Sequence, residues 1–258
     1  MDFVSAIWGE KYAEAGSGMV RSFATHCNNH RMVVYTDVPE ALPGPEESRN
    51  VFFKICGQAD WLSSWAPYWR TGGRGMITKI SLLEHRMQMN GDMPVMWADA
   101  DVLFLDNPER DLGGSRSFKL CACDLGRPST AFWGVGSQFQ LDRLKRWASD
   151  RVEAQDEFGP VVEGPFLARW YAERRWKDAT VMGDVSRLYD WHAGEAIGTA
   201  GEAPARLMWK NGGIYSGPSR VVTLRLTPSQ IDEHQRSSWR AFANDNVRRH
   251  LQGLYQGA

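Results

Sequence analysis

Short apolar runs alternate with helix-spaced apolar positions through the first hundred residues. Phe3-Val4-Ser5-Ala6-Ile7-Trp8 is an apolar run that stops at Gly9, as a buried strand does. Residues 13–28 place Met19, Phe23 and Cys27 at four-residue intervals and predict a helix. Asn28-Asn29 turns the chain into Met32-Val33-Val34-Tyr35, a second strand ending at Thr36-Asp37. Pro39, Pro43, Gly44 and Pro45 mark a loop, and Val51-Phe52-Phe53-Lys54-Ile55 reads as a third strand. After Gly72-Gly73, a helix over 74–89 gathers Met76, Ile80, Leu83 and Met87 on one face. Gly91-Asp92 then leads into the apolar strand Val95-Met96-Trp97-Ala98, which runs directly into Asp99-Ala100-Asp101. Strands alternating with helices in this way predict an α/β fold with a mostly parallel sheet.

The second half is less regular. Residues 117–123 and 131–135 read as strands, and Ser137-Gln138-Phe139-Gln140 is a capping box that starts a helix over roughly 138–149. Residues 153–177 are helical in composition. A Gly/Ala/Glu loop spans 194–204, a candidate lid. Leu207-Met208-Trp209 and Val221-Val222-Thr223-Leu224 are late strands, and Thr227-Pro228-Ser229-Gln230 opens a C-terminal helix. No repeat or linker divides the 258 residues, so one domain is expected.

Composition narrows the function classes. Thirty Lys+Arg against 31 Asp+Glu give a net charge of -1, so no global attraction draws the chain to nucleic acid or an anionic membrane. No apolar run approaches the roughly 20 residues that span a bilayer. Met1-Asp2-Phe3-Val4 has no basic stretch leading into an apolar core, and no secretory signal is expected. Four cysteines without a C-x-x-C pair read as reduced thiols in a cytoplasm. Twelve tryptophans exceed what a core ordinarily uses, which predicts that some line a binding surface.

The chemistry concentrates in Met96-Trp97-Ala98-Asp99-Ala100-Asp101-Val102-Leu103-Phe104-Leu105. Two carboxylates beside the buried end of a strand need compensation, because desolvating an unpaired carboxylate is costly. A divalent cation supplies it: Mg²⁺ and Mn²⁺ take oxygen ligands, and Mg²⁺ typically combines one or two carboxylates with substrate phosphates. In an open α/β sheet such a ligand sits beyond the carboxyl ends of the strands. An isolated D-x-D is otherwise commonly a solvated turn.

The strand–Asp-x-Asp–apolar pattern resembles the metal-binding motif of GT-A-type nucleotide-sugar glycosyltransferases. Three more stretches agree in order. Ala6-Ile7-Trp8-Gly9-Glu10-Lys11-Tyr12 is similar to the family's first strand and loop, where a Tyr stacks on the nucleotide base. Val33-Val34-Tyr35-Thr36-Asp37 resembles its second strand and base-side turn, and Met76-Ile77-Thr78-Lys79-Ile80 its donor-facing helix, with Lys79 as the cation. The resemblance covers residues 1–110 and fades beyond them.

The resemblance implies a GT-A-like (Rossmann-like) single domain with a mixed, mostly parallel sheet flanked by helices. Residues 1–110 form the nucleotide-sugar half, and 111–258 the acceptor side with the C-terminal helix. It implies transfer of a sugar from a UDP- or GDP-linked donor, with Mn²⁺ or Mg²⁺ as cofactor. Trp8, Gly9, Tyr12, Thr36, Asp37, Lys79 and Asp99 are the donor-side residues it implies, and Asp99 and Asp101 the metal ligands. Asp156 or Glu157, placed where many members carry an acidic pair, is the acceptor-activating base. Trp69, in the aromatic and basic stretch Tyr68-Trp69-Arg70, is an acceptor platform together with Trp133 and Gly134.

One departure stands out. Many members carry a late His in a His-x-x-Gly context, whereas Trp209-Lys210-Asn211-Gly212-Gly213 holds none here. Either His192 takes that part, or Lys210 binds the diphosphate instead. The acceptor is open among glycans, proteins, small molecules and a modified DNA base. Two other readings remain beside this one. A haloacid-dehalogenase-like phosphatase would use Asp99 as nucleophile, although its first motif normally opens the domain. A non-catalytic module would bind glycan through its tryptophans.

Overall fold

The computed structural model describes residues 1–57, 74–104, 107–109, 118–122, 128–153, 179–182, 188–191 and 221–224. At its centre is β1 (Asp2–Ile7). Strands β2 (Arg31–Thr36) and β3 (Val51–Ile55) follow in parallel on one side, and β4 (Val95–Ala98) lies parallel to β1 on the other. Beyond β4 come β7 (Pro128–Val135), β6 (Phe118–Ala122) and β8 (Ala179–Met182). The seven-stranded order is β3-β2-β1-β4-β7-β6-β8, with β7 antiparallel to both its neighbours. A second sheet joins β5 (Val102–Phe104) to the antiparallel β10 (Val221–Leu224), which pairs in parallel with β9 (Leu188–Trp191).

The expected mixed, mostly parallel sheet is therefore present. Strand β1 starts one residue earlier and ends one residue earlier than the apolar run, leaving Trp8 to the loop. Strands β8 and β9 carry no apolar run long enough to have been predicted. The helix over 153–177, the 194–204 loop, the 207–209 strand and the C-terminal helix lie outside the described residues.

Side chains along β1 alternate between two cores, because successive residues of a strand point to opposite faces. Phe3 and Ile7 join Met19, Val20 and Phe23 of α1 (Ala13–His26) on one face, and that cluster continues into Val102 and Phe104 of β5. Phe3, Phe23 and Phe104 pack edge to face with ring centroids 5.1–5.8 Å apart. Val4 points the other way, to Met76, Ile80, Leu83 and Met87 of α2 (Arg74–Met89) and to Leu141, Leu144 and Trp147 of α3 (Gln138–Glu153). These four α2 residues are the stripe the sequence places on one face.

The capping box forms as predicted, with the Gln140 amide N–H directed to Ser137 Oγ at 3.4 Å. The Gln140 side chain accepts from Gly136 N at 2.9 Å, one residue before the cap. At the amino end of β1, Asp2 is buried and accepts from Arg31 Nη2 at 2.8 Å, Arg86 Nε at 2.7 Å and Asn90 Nδ2 at 3.2 Å. Among the described residues no helix is long and apolar enough to cross a membrane.

Candidate active site

Strand order fixes where a site can form. From β1 the chain builds outward through β2 and β3, then returns to place β4 on the opposite side of β1. Strands β1 and β4 are thus parallel neighbours whose onward strands lie on opposite sides of the pair, and the carboxyl end of the β1–β4 boundary is the topological switch point.

The β1 connection is tied down by three polar contacts. Gly9 N donates to Asp37 Oδ1 at 2.8 Å, the Trp8 indole N–H donates to Cys56 O at 2.9 Å, and Tyr12 N closes a turn onto Gly9 O at 3.1 Å. Together they join the ends of β1, β2 and β3. Gly9 has φ 79° and ψ 148°, a conformation costly for any residue with a Cβ. Gly9→Ala is expected to cost about 1–3 kcal/mol, read as a lowered urea midpoint at unchanged slope. Tyr12 projects outward, 48% exposed, with the Lys11 ammonium 4.7 Å from its ring centroid. Thr36 is fully buried and its hydroxyl accepts from Val38 N at 3.1 Å. Its side chain holds the turn that follows β2, and Asp37 spends one carboxylate oxygen on the β1 loop.

The β4 connection carries the acidic pair. Asp99 N donates to Ala131 O at 2.8 Å, which prolongs the pairing with β7 by one residue. Val102 N then donates to Asp99 O at 3.1 Å, folding Asp99-Ala100-Asp101 into a tight turn between β4 and β5. Lys79 of α2 is only 6% exposed, and its ammonium lies 2.7 Å from Asp99 Oδ1. A buried ammonium demands such a partner, since the desolvation cost of an unpaired charge is several kcal/mol. Trp97, two residues before Asp99, donates its indole N–H to the same oxygen, and Lys79 Nζ sits 5.5 Å from the Trp97 ring centroid. Sequence reasoning passed over this role of Trp97, although residues i and i+2 of a strand share a face.

The structure thus brings Lys79, Asp99 and Asp101 to one strand end, and Trp8, Gly9, Tyr12 and Asp37 to the neighbouring loop. Trp133 and Gly134 are elsewhere. Trp133 is fully buried against α2 and α3 in the core, and a Cβ on Gly134 would lie 2.6 Å from Val95 O of the adjacent strand. Both belong to the interior of the sheet, which corrects the expectation that they face an acceptor. The surplus of tryptophans is partly a core feature, since Trp97 and Trp147 are buried as well. Trp69, Asp156, Glu157, His192 and Lys210 lie outside the described residues.

Asp99 and Asp101 are hard oxygen donors on a backbone-fixed turn, and that donor chemistry suits Mg²⁺ or Mn²⁺. Among the described residues no third His, Cys, Asp or Glu joins them. Two carboxylates are enough for Mg²⁺, which usually keeps several waters and takes substrate phosphates as further ligands.

No protein-family model and no curated protein matches the chain. Solved structures do. A complex of the galactosyltransferase LgtC with donor and acceptor sugar analogs superposes with a TM-score of 0.59 at 13% identity, covering 99% of this chain and 95% of that one. An active-site mutant of LgtC gives 0.55 at 12% identity, covering 93% and 94%. The likeness is one of fold: the chain has a GT-A-type α/β architecture.

Proposed function

We propose that this chain is a GT-A-type glycosyltransferase that moves a sugar from a UDP- or GDP-linked donor to an acceptor, with Mn²⁺ or Mg²⁺ as cofactor. The observation that carries this reading is the Asp99–Asp101 turn at the carboxyl end of β4, beside the switch point, with the buried Lys79 cation against it. Similarity of fold to a galactosyltransferase supports it. Residues 1–110 bind the nucleotide sugar in this reading, and 111–258 shape the acceptor side.

Asp101 and Asp99 would hold the ion, with His192 as the further candidate ligand. Bound there, the ion supplies charge neutralisation for a diphosphate leaving group. Tyr12 offers its exposed ring to the base, next to the loop that Trp8, Gly9 and Asp37 lock in place. Lys79 pairs with Asp99 through Oδ1, and Lys210 is the candidate contact to the diphosphate. Asp156 or Glu157 would take the acceptor proton, with Trp69 as a stacking surface for the acceptor.

A ligand that binds only the folded state raises its stability by about 2.7 kcal/mol at a hundred times its Kd. For a chain of this size that is a melting shift of roughly 5–10 °C. Such a shift is expected from UDP or GDP when Mn²⁺ is present and is expected to vanish with EDTA. No shift from either nucleotide with Mn²⁺, together with no transfer from a panel of nucleotide sugars, would overturn the proposal.

A further inference from the structure

We propose that Trp97 is a positioning residue for Asp99: its indole N–H and the Lys79 ammonium together hold Oδ1, so that Oδ2 is the oxygen the carboxylate presents. This inference rests on the reading of the Asp99–Asp101 turn as a cation and donor site, and deepens it.

Three contacts make the case. The indole N–H and the ammonium both reach Asp99 Oδ1, and the ammonium also lies over the indole ring at 5.5 Å from its centroid. The three side chains therefore form a closed triangle. None of the described contacts of Asp99's side chain falls on Oδ2.

A carboxylate held at one oxygen by two donors loses the free rotation that would let its oxygens exchange places. Its second oxygen is then fixed in direction before any ligand arrives. Lysine alone does this poorly, because its four-carbon stem is flexible. Trp97 is rigid: it is 3% exposed and belongs to the core cluster containing Val4, Leu83 and Trp133. The site geometry is thereby referred back to the packed interior. Groups that orient a metal-ligating side chain typically change metal affinity or activity 10–100-fold when removed.

Trp97→Phe keeps an aromatic ring in the core and beneath Lys79 but deletes the donor. Mn²⁺ binding is read directly from the EPR signal of the free ion, titrated with UDP present and separately with GDP. The expected result is a Trp97→Phe protein that melts cooperatively and binds Mn²⁺ 10–100-fold more weakly than wild type. In an Asp99→Asn background the same substitution is expected to cause no further loss, because the indole acts through that carboxylate.

Wild-type affinity in Trp97→Phe, or an equal loss in both backgrounds, overturns the positioning role while leaving the proposed function standing. A wild-type protein that takes up no Mn²⁺ with either nucleotide overturns both. Should Trp97→Phe fail to fold, Trp97→Met, which also lacks a donor, is carried through the same cycle. Failure of both to fold would assign the indole to the core alone and overturn the inference.

Discussion

Asp101→Ala is expected to abolish measurable transfer while leaving a protein that melts cooperatively. Asp101 lies in the turn between β4 and β5, whose path is set by backbone bonds from Asp99 N to Ala131 O and from Val102 N to Asp99 O. Those backbone bonds remain when the carboxylate is removed. The substitution removes one of the two hard oxygen donors that would anchor a cation under a departing diphosphate. Electrostatic stabilisation by a bound metal is worth several kcal/mol in the transition state. At about 1.4 kcal/mol per tenfold in rate, the loss is on the order of 10³-fold in kcat/KM. The check is a transfer assay beside a thermal melt, and full activity in the variant would remove the acidic turn from the mechanism.

The second large effect is at the opposite end of the sheet and concerns stability alone. Asp2→Ala is expected to destabilise the fold by about 3 kcal/mol, because it leaves the mostly covered Arg86 guanidinium without its carboxylate. Against a total stability of roughly 5–15 kcal/mol this is enough to lower the melting point sharply. Arg31, about half exposed, contributes less to that figure, since solvent screens its side of the pair.

Acid acts on the same carboxylate. Burial alone would raise the carboxyl, but hydrogen bonds from Arg31 and Arg86, the charge of Arg86 and the Asn90 amide outweigh it and hold Asp2 below its ordinary value. A group depressed in the folded state stabilises fully above its unfolded pKa, near 3.8, and that contribution is lost as pH falls through the folded value. Wild-type stability is therefore expected to drop below about pH 4, and the Asp2→Asn protein is expected to show a shallower acid limb in urea denaturation.

The order β1, α1, β2, β3, α2, β4 was readable in the sequence because each element there satisfies its own period: Met76, Ile80, Leu83 and Met87 for α2, the apolar run 95–98 for β4. Direction and sheet membership were less accessible. The antiparallel course of β7 depends on which strand it meets, β4, and no local pattern records that. Strands β8 and β9 are four residues each, Ala179–Met182 and Leu188–Trp191, and polar residues interrupt their apolar character.

The acidic turn after β4 was legible for the same reason. An apolar strand that runs into two acids and then into a second apolar run is visible in the order of the residues. Burial of individual side chains was not legible. Thr36 at a strand end reads alike whether its hydroxyl meets a ligand or, as here, the N–H of Val38. Trp133 reads as a surface aromatic until α2 and α3 are known to cover it. The Trp97–Asp99–Lys79 triangle joins neighbours on β4 to a residue of α2, and only the packing of that helix on the strand closes it.

The pairing of β5 with β10 bears on the order of assembly. Val221 meets Phe104 across more than a hundred residues of chain, and the strand so anchored begins immediately after Asp101. The entropy of closing so long a loop grows only logarithmically, so the cost at equilibrium is modest. The kinetic cost is larger, since non-local pairings slow folding. The parallel core around β1 can condense from neighbouring segments, whereas β5, already packed on α1 through Phe104, gains its strand partner only when residues 221–224 arrive. During refolding, recovery of ligand binding should consequently lag behind recovery of secondary structure.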